Sequence, residues 1–279
     1  NSVLDDNRLL TLPNGERLSL PNNVRIMFEV ENLKYATLAT VSRCGMVWFS
    51  SEVVTLDMIY YNYMETLKSV PLDESEEEGS STHNRVEGEE TISPHLSTQR
   101  DIASILGKHM TEEGLVTRTL MEAEKLEHIM DFTYMRVLNT LFSLLNKTVR
   151  NVIEYNVQHP DFPMTAEHLD GYVTKRLVLG VIWSFSGDAK LDYRAVLGNF
   201  VRGIATVDLP PAQVGSTLID YDVQINNGEW VSWTGKVPTI EIETHTVSEA
   251  DVVVPTVDTV RHEEILYSWL SEHKPLLLC

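Results

Sequence analysis

Arg43 is the residue whose type and position most clearly indicate chemistry. It lies in the turn-like run Thr40–Gly45, downstream of an apolar stretch, Val24–Val30, that predicts a strand and ends in Glu31-Asn32. A guanidinium stays charged and forks onto phosphate oxygens. An arginine placed in this way can therefore stabilise the charge of a phosphoryl group that is transferred in a neighbouring site. The alternative is an ion pair between Arg43 and a local carboxylate.

Other motifs for phosphate, metal or nucleophilic chemistry are incomplete. The phosphate-binding loop G-x-x-x-x-G-K-[ST] is not met at Gly107–His109 or at Gly235–Val237, because neither lysine is followed by Ser or Thr. His262–Glu264 lacks the second histidine of a zinc protease, since position 266 is leucine. The nine histidines show no metal-ligand spacing. The chain by itself is therefore predicted not to hydrolyse ATP.

Composition limits the class of protein further. The 279 residues are 43% apolar, which is enough for a packed core. The formal net charge of −19 argues against nonspecific binding to nucleic acid. Cys44 and Cys279 are too few for a disulfide framework and are predicted to be reduced, as in a cytosolic protein. No apolar run has the length of a membrane span, so neither nucleic acid nor membrane is an expected partner.

The first elements must position the arginine, and the sequence predicts strands and turns for them. Leu10–Leu20 alternates around Asn14-Gly15, a strong hairpin signal. Met46–Phe49 predicts a short strand, and Val54–Val70 a short helix. The acidic and polar stretch Pro71–Pro94 fits a calcium loop poorly and predicts a solvated or disordered insert.

Ser97–Val207 predicts a helical region. Apolar residues recur at helical spacing over Leu115–Met130 and again over Tyr134–Ile153. A third helix is capped by Thr165 and ends at Gly187-Asp188, and a fourth covers Tyr193–Ile204. The second helix presents one stripe that predicts core: Val137, Leu138, Leu141, Leu144, Leu145, Val149 and Val152.

The last region, from Pro211 to Cys279, begins as β-structure. Ile219–Ile225 alternates, and Asn227-Gly228 turns the chain into Trp230–Trp233. Ile240–Thr244 alternates again, and Val252–Thr256 is extended. Asp258 is predicted to cap a helix that runs to about Glu272. The residues expected to face inward on this helix are Leu266, Trp269 and Leu270, and Leu276–Leu278 predicts a buried strand.

These runs together resemble the dynein heavy-chain family, over essentially the whole chain. The resemblance is to the motor ring, from late in the second AAA+ module to the start of the third. One departure is Leu38, where the family usually has proline. The matching stretches are Asn1–Asn7, Leu12–Leu18, Phe28–Leu33, Ala39–Gly45, His159–Pro163, Trp183–Asp188, Val254–His262 and Glu272–Leu276.

The resemblance implies an α/β fold, a fragment of an AAA+ P-loop NTPase. It implies a partial parallel sheet, a large helical lid, a β-hairpin extension, and then the first helix and first strand of the next module. The corresponding ranges are 1–50 for the end of the second large subdomain and 51–210 for the lid, with an acidic insert at 71–95. The hairpin extension covers 211–250, and the third module begins at 251–279.

The resemblance also implies roles for particular residues. Arg43 corresponds to the arginine finger that reaches the preceding module's ATP, and Asn32 to a sensor-like polar group, with a turn-forming Asn as the alternative. Arg194 is a candidate second sensor, against a solvated helix Arg. The linker residues expected to contact adenine in the third module are Val254, Pro255, Thr256 and Thr259.

The implied ligands are ATP or ADP with Mg²⁺, in sites completed by the intact motor. The implied partners are the remainder of the heavy chain, a second heavy chain, intermediate and light chains, and the microtubule, in the cytoplasm and on the cytoskeleton. A hypothesis from a different class also stays open. On that hypothesis the chain is a non-catalytic helical interaction module with no ATPase role.

Overall fold

The computed structural model describes residues 3–50, 53–72, 93–211, 216–239 and 254–276. The chain separates into two compact units, Asn1–Val54 and Thr55–Cys279. The first unit contains β1 (Leu9–Thr11), β2 (Arg17–Ser19) and α1 (Leu38–Val41). The second contains α2 (Leu56–Ser69), α3 (Pro94–Gly107), α4 (Leu115–Ala123), α5 (Tyr134–Gln158), α6 (Ala166–Ser186), α7 (Leu191–Ile204), β3 (Tyr221–Val223), β4 (Trp230–Ser232) and α8 (Val257–Leu270).

The hairpin predicted around Asn14-Gly15 is confirmed. β1 pairs antiparallel with β2, and Leu10 lies opposite Leu18. Gly15 has a φ of +86°, a left-handed conformation that glycine adopts without a steric penalty. The Asn14 side chain accepts a hydrogen bond from the Glu16 amide at 3.0 Å, which closes the turn.

The strands predicted at Val24–Val30 and Met46–Phe49 are wrong for the described structure, and with them the partial parallel sheet. Both sheets of the described residues are two-stranded and antiparallel. A strand needs a neighbour for its backbone N–H and C=O groups and a core for its apolar side chains. Neither is present for these runs within residues 3–50, where Met27 is 94% and Phe49 89% exposed.

The second unit is helical, as predicted, and α6 is its central helix. α6 contacts α3, α4, α5, α7 and β3. Its buried residues include the consecutive Leu177, Val178 and Leu179, which lie on different sides of the helix. A helix that is apolar all round belongs in the interior. The stripe predicted on α5, from Val137 to Val152, is buried against this interior and is confirmed as core.

The helix predicted over Leu115–Met130 ends early, at Ala123. The reason is a side-chain contact. The His128 ring donates from Nε2 to the Ala123 carbonyl oxygen at 2.8 Å, and its Nδ1 faces Asp188 Oδ1 at 3.0 Å. The α4 carbonyl is therefore satisfied by a residue from the loop that follows, and the chain turns instead of continuing the helix.

Caps set the ends of the other helices. Thr165 caps α6 by accepting from the His168 amide at 3.3 Å, as predicted. The predicted cap of α8 is wrong, because Thr256 holds that position and Asp258 lies in the first turn. The inward face of α8 matches the prediction only in part. Trp269 packs against the core as predicted, and Leu266 is half-buried. Arg261 and Ser268 are buried, whereas Leu270 is exposed.

The second hairpin is confirmed in a shorter form. β3 pairs antiparallel with β4 through a turn in which Gly228 has a φ of +67°. The strand predicted over Ile219–Ile225 starts late, because Leu218–Asp220 is a 3₁₀ turn. In that turn the Asp220 carboxylate accepts from the Thr217 amide at 2.6 Å and from its hydroxyl at 3.1 Å. These bonds satisfy the Thr217 amide and favour the helical turn over a strand.

Some predictions fall on residues outside the described ranges. These are the acidic insert from 73 to 92, the strand at 240–244, residues 252–253 of the predicted extended run, and residues 277–278 of the last predicted strand. Among the residues that the structure describes, no helix has both the length and the apolarity needed to cross a bilayer.

Candidate functional site

Arg43 lies in the first unit, directly after α1. Thr37 caps this helix through its hydroxyl, and Ser42 follows its last residue as the C-cap. The Arg43 guanidinium donates from Nη1 to the Ala39 carbonyl oxygen at 2.7 Å and from Nε to the Asp5 carboxylate. The ion pair that the sequence left as an alternative is thus present. Its side chains are about one-third exposed, at 34% and 36%, so the pair is a surface contact that a stronger anion can replace.

Asn32 also lies in the first unit and is used locally. Its Oδ1 accepts a hydrogen bond from the Lys34 amide, two residues on, at 3.2 Å. This arrangement is an Asx turn. This is the turn-forming arrangement that the sequence offered beside the sensor role. The residue is exposed.

The linker residues meet at the start of α8. The Thr256 hydroxyl accepts from the Thr259 amide at 3.2 Å, and the Thr259 hydroxyl accepts from the Thr256 amide at 2.7 Å. The two threonines thus form a capping box. Val254 and Pro255 precede it without regular structure, and Val254 is exposed. The cap satisfies two backbone N–H groups and fixes the direction in which the linker enters the helix.

Arg194 is half-buried and its guanidinium binds backbone carbonyls, so the interpretation as a free, solvated helix arginine is wrong. Its Nη2 donates to the Gly187 carbonyl oxygen at 2.5 Å, and its Nε faces the carbonyl oxygens of Ser186 and Ala189 at 3.1 Å each. The guanidinium therefore satisfies carbonyls at the C-terminal end of α6. Burial and the nearby Arg261 lower the pKa of Arg194.

Arg261 is a functional candidate that sequence reasoning missed. It is buried on the inward face of α8, where Nη1 donates to Asp220 Oδ1 at 2.8 Å and Nη2 donates to Asp258. Its guanidinium lies 5.9 Å from the centre of the Trp183 ring, on which Arg194 also packs at 5.6 Å. The structure thus brings Arg194 and the start of α8 together around one tryptophan. The spacing Asp258-x-x-Arg261 was the available signal.

The second hairpin is attached to α6 by buried charges. Asp222 accepts from Arg176 Nη1 at 2.6 Å and from the Lys236 ammonium. Lys175 donates to the Gly228 carbonyl oxygen at 2.7 Å. Burial raises the pKa of Asp222, but the two cations outweigh burial and the pKa is lowered.

The space between these elements is small. A cavity of about 20 Å³ is lined by Arg176, Asp222 and Trp233, among others. Such a volume holds one water molecule and no nucleotide. Among the described residues, no group of three or more His, Cys, Asp or Glu side chains is arranged to hold a metal ion.

Comparisons with known proteins agree with the helical architecture of the second unit. A family model described as the dynein heavy chain AAA lid domain matches residues 108–235. The chain is 58% identical to the cytoplasmic dynein heavy chain of Drosophila melanogaster, 54% to that of Neurospora crassa and 46% to that of Dictyostelium discoideum. Each alignment covers 100% of this chain and 6% of the relative. The chain thus spans about 6% of the length of these curated relatives.

Proposed function

Because the chain belongs to the cytoplasmic dynein heavy-chain family, with an AAA lid domain in its second unit, we propose that it serves as a coupling segment of an ATP-driven microtubule motor. The segment joins the end of one AAA+ module to the start of the next. The ATP or ADP, with Mg²⁺, binds in sites that the rest of the heavy chain completes. The further partners are a second heavy chain, intermediate and light chains and the microtubule, in the cytoplasm.

The attachment of α8 to the lid carries this proposal. α8 starts at the Thr256–Thr259 cap, next to the linker proposed to contact adenine, and is held by buried Arg261 on Asp220. A helix that is capped by the linker and anchored on the lid moves with both. Coupling between sites requires such an element, whose position both sites influence.

Arg43 has a separate role in the proposal, as the arginine that completes the preceding module's ATP site. Its pair with Asp5 is partly exposed and costs little to break, roughly 0–1 kcal/mol. A phosphate that carries more charge than a carboxylate competes well for the guanidinium. The same arginine can therefore exchange Asp5 for a γ-phosphate.

The coupling role is tested with Arg261→Met in the full-length heavy chain. We expect ATP binding to persist and microtubule-stimulated ATP turnover to fall several-fold, because α8 loses its anchor on the lid. Arg118→Met is the matched control, since Arg118 is exposed on α4. Turnover of the Arg261 variant at the level of the control would refute the coupling role.

The finger role is tested with Arg43→Ala in the same protein. Loss of a trans arginine lowers turnover on the order of a thousandfold or more in other phosphoryl-transfer enzymes, and we expect most turnover to be lost while ATP still binds. Arg25→Ala is the control, because Arg25 is an exposed arginine of the same unit whose guanidinium donates to the backbone carbonyl oxygens of Asn22 and Val24. Near-normal turnover of the Arg43 variant contradicts the finger role.

A further inference from the structure

A buried carboxylate lies just beyond the end of α8, where the chain leaves the helix. The Glu272 side chain is only 5% exposed. Its Oε1 accepts from Asn146 Nδ2 at 2.8 Å and from Arg150 Nη1 at 3.0 Å, and its Oε2 accepts from Lys274 Nζ at 2.6 Å. Burial raises the pKa of Glu272, but these donors outweigh it and the pKa is lowered. The carboxylate is therefore held as an anion with both oxygens occupied.

The polar residues of α5 that bind this segment share one face of that helix. Ser143, Asn146 and Arg150 are spaced three and four residues apart, which places them on neighbouring turns of the same side. Ser143 takes part by accepting from Lys274 Nζ at 2.8 Å. The segment after α8 is thus fixed on α5 at two points, through Glu272 and through Lys274.

The orientation of the Asn146 amide depends on α2. Tyr63, on α2, donates from its hydroxyl to Asn146 Oδ1 at 3.1 Å, which turns Nδ2 toward Glu272. The Tyr63 ring is itself fixed, because it stacks on Phe142 with ring centres 4.0 Å apart. Burial, and next the charge of Glu272, raise the pKa of the Tyr63 hydroxyl, so it keeps its proton and remains a donor.

We propose that Tyr63, Asn146 and Glu272 form a polar relay through which α2 sets the position of residues 271–276, the segment that leaves α8. Each bond in the relay has one donor and one acceptor in a defined order, from the phenol to the amide to the carboxylate. A displacement of α2 therefore removes the bond that orients the amide and loosens the carboxylate at the far end. Only the functional meaning of the relay, coupling of one module to the next, rests on the proposed function.

The test is hydrogen exchange of the full-length heavy chain, read by mass spectrometry at the amides of Ser271, Glu272 and His273. These amides close the end of α8 on the carbonyl oxygens of Tyr267, Trp269 and Leu270, at 3.0 Å each. In Tyr63→Phe we expect exchange about fivefold faster, which is roughly 1 kcal/mol at 1.4 kcal/mol per factor of ten. In Glu272→Gln we expect a larger increase, because two cations lose their anion.

The double variant decides whether the two residues act together. Residues of one network show non-additive effects, whereas independent residues show additive free energies and multiplied rates. We expect Tyr63→Phe to add less than a twofold change in the Glu272→Gln background. Multiplied rates in the double variant, or unchanged exchange in Tyr63→Phe, would overturn the relay.

Tyr60→Phe is the matched control. Tyr60 is a buried tyrosine of the same helix, and its hydroxyl is bonded to Thr117 at 3.1 Å instead of to the relay. Tyr60→Phe removes the same hydroxyl oxygen as Tyr63→Phe. If the substitutions act only by loosening α2 in general, exchange at residues 271–273 will be faster in Tyr60→Phe too, and that result would count against the relay. The exchange readout does not involve ATP turnover. The relay can therefore fail while the Arg261 experiment supports coupling, and the reverse is equally distinguishable.

Discussion

Replacement of Asp222 by asparagine tests how the second hairpin is held on α6. Asp222 is 6% exposed and accepts from Arg176, itself 10% exposed, at 2.6 Å, and from Lys236. Asparagine keeps the shape and one carbonyl oxygen but has no charge. The change therefore removes the counter-charge of a buried guanidinium and leaves the surrounding packing in place.

The magnitude follows from burial. Breaking a buried ion pair by removing one partner costs roughly 3–5 kcal/mol, since the remaining charge is desolvated without compensation. The asparagine oxygen can still accept one bond from Arg176, so we expect the lower end, about 3 kcal/mol. With a urea dependence of about 3 kcal/mol per molar, the unfolding midpoint of the second unit falls by about 1 M.

Urea unfolding of the 279-residue chain measures this change through tryptophan fluorescence. Trp233 reports on the hairpin, because Lys236 packs over its ring at 4.7 Å. Asp170→Asn is the matched control. Its carboxylate is 53% exposed and pairs with Lys108 at 3.4 Å, and exposed pairs contribute about 0–1 kcal/mol. If Asp222→Asn unfolds within about 0.5 kcal/mol of the control, the buried pair does not hold the hairpin and the reasoning fails.

Three further perturbations have outcomes that the structure fixes. Thr256→Ala removes the cap of α8, so we expect the free energy of unfolding to fall by about 1 kcal/mol and amide exchange in the first turn of α8 to become faster. Unchanged exchange in that turn would contradict this expectation. Gln99→Ala removes the side chain that binds backbone groups of Leu67, Val70 and Leu72. We expect calorimetry to show that the free energy of unfolding falls by roughly 2 kcal/mol. A neutral effect would contradict this expectation. Acid should destabilise the chain, because the lowered pKa values of buried carboxylates such as Asp222 give stability that is complete above about pH 4 and is lost as pH falls through the folded-state values. A urea midpoint that stays constant between about pH 5 and 3 would contradict this.

The surroundings predicted for the candidate residues can be compared with those in the structure. The sequence predicted Asp258 as the cap of α8, and the structure places the cap two residues earlier, at Thr256, which exchanges hydrogen bonds with Thr259 three residues on. Arg194 was predicted to be a solvated residue or a second sensor. The structure shows it bound to carbonyls at the end of α6, and the sensor role stays a prediction. Those carbonyls lie at a corner between two helices, whose angle no local pattern specifies.

The sequence by itself determined the helices of the lid, the α5 stripe and both glycine turns. Each depends on residues within about one or two turns of one another, where periodicity and backbone preference act directly. The tertiary structure alone decided that Arg261 on α8 and Glu272 just beyond it are buried. Arg261 is a cation paired with Asp220, and Glu272 is an anion paired with Arg150 and Lys274. These positions depend on Asp220 and Asn146, which lie 41 and 126 residues away in the chain. From sequence alone, a polar side chain is predicted to be exposed. It can be buried only where a partner compensates the cost of its desolvation, and here that partner is distant in the chain.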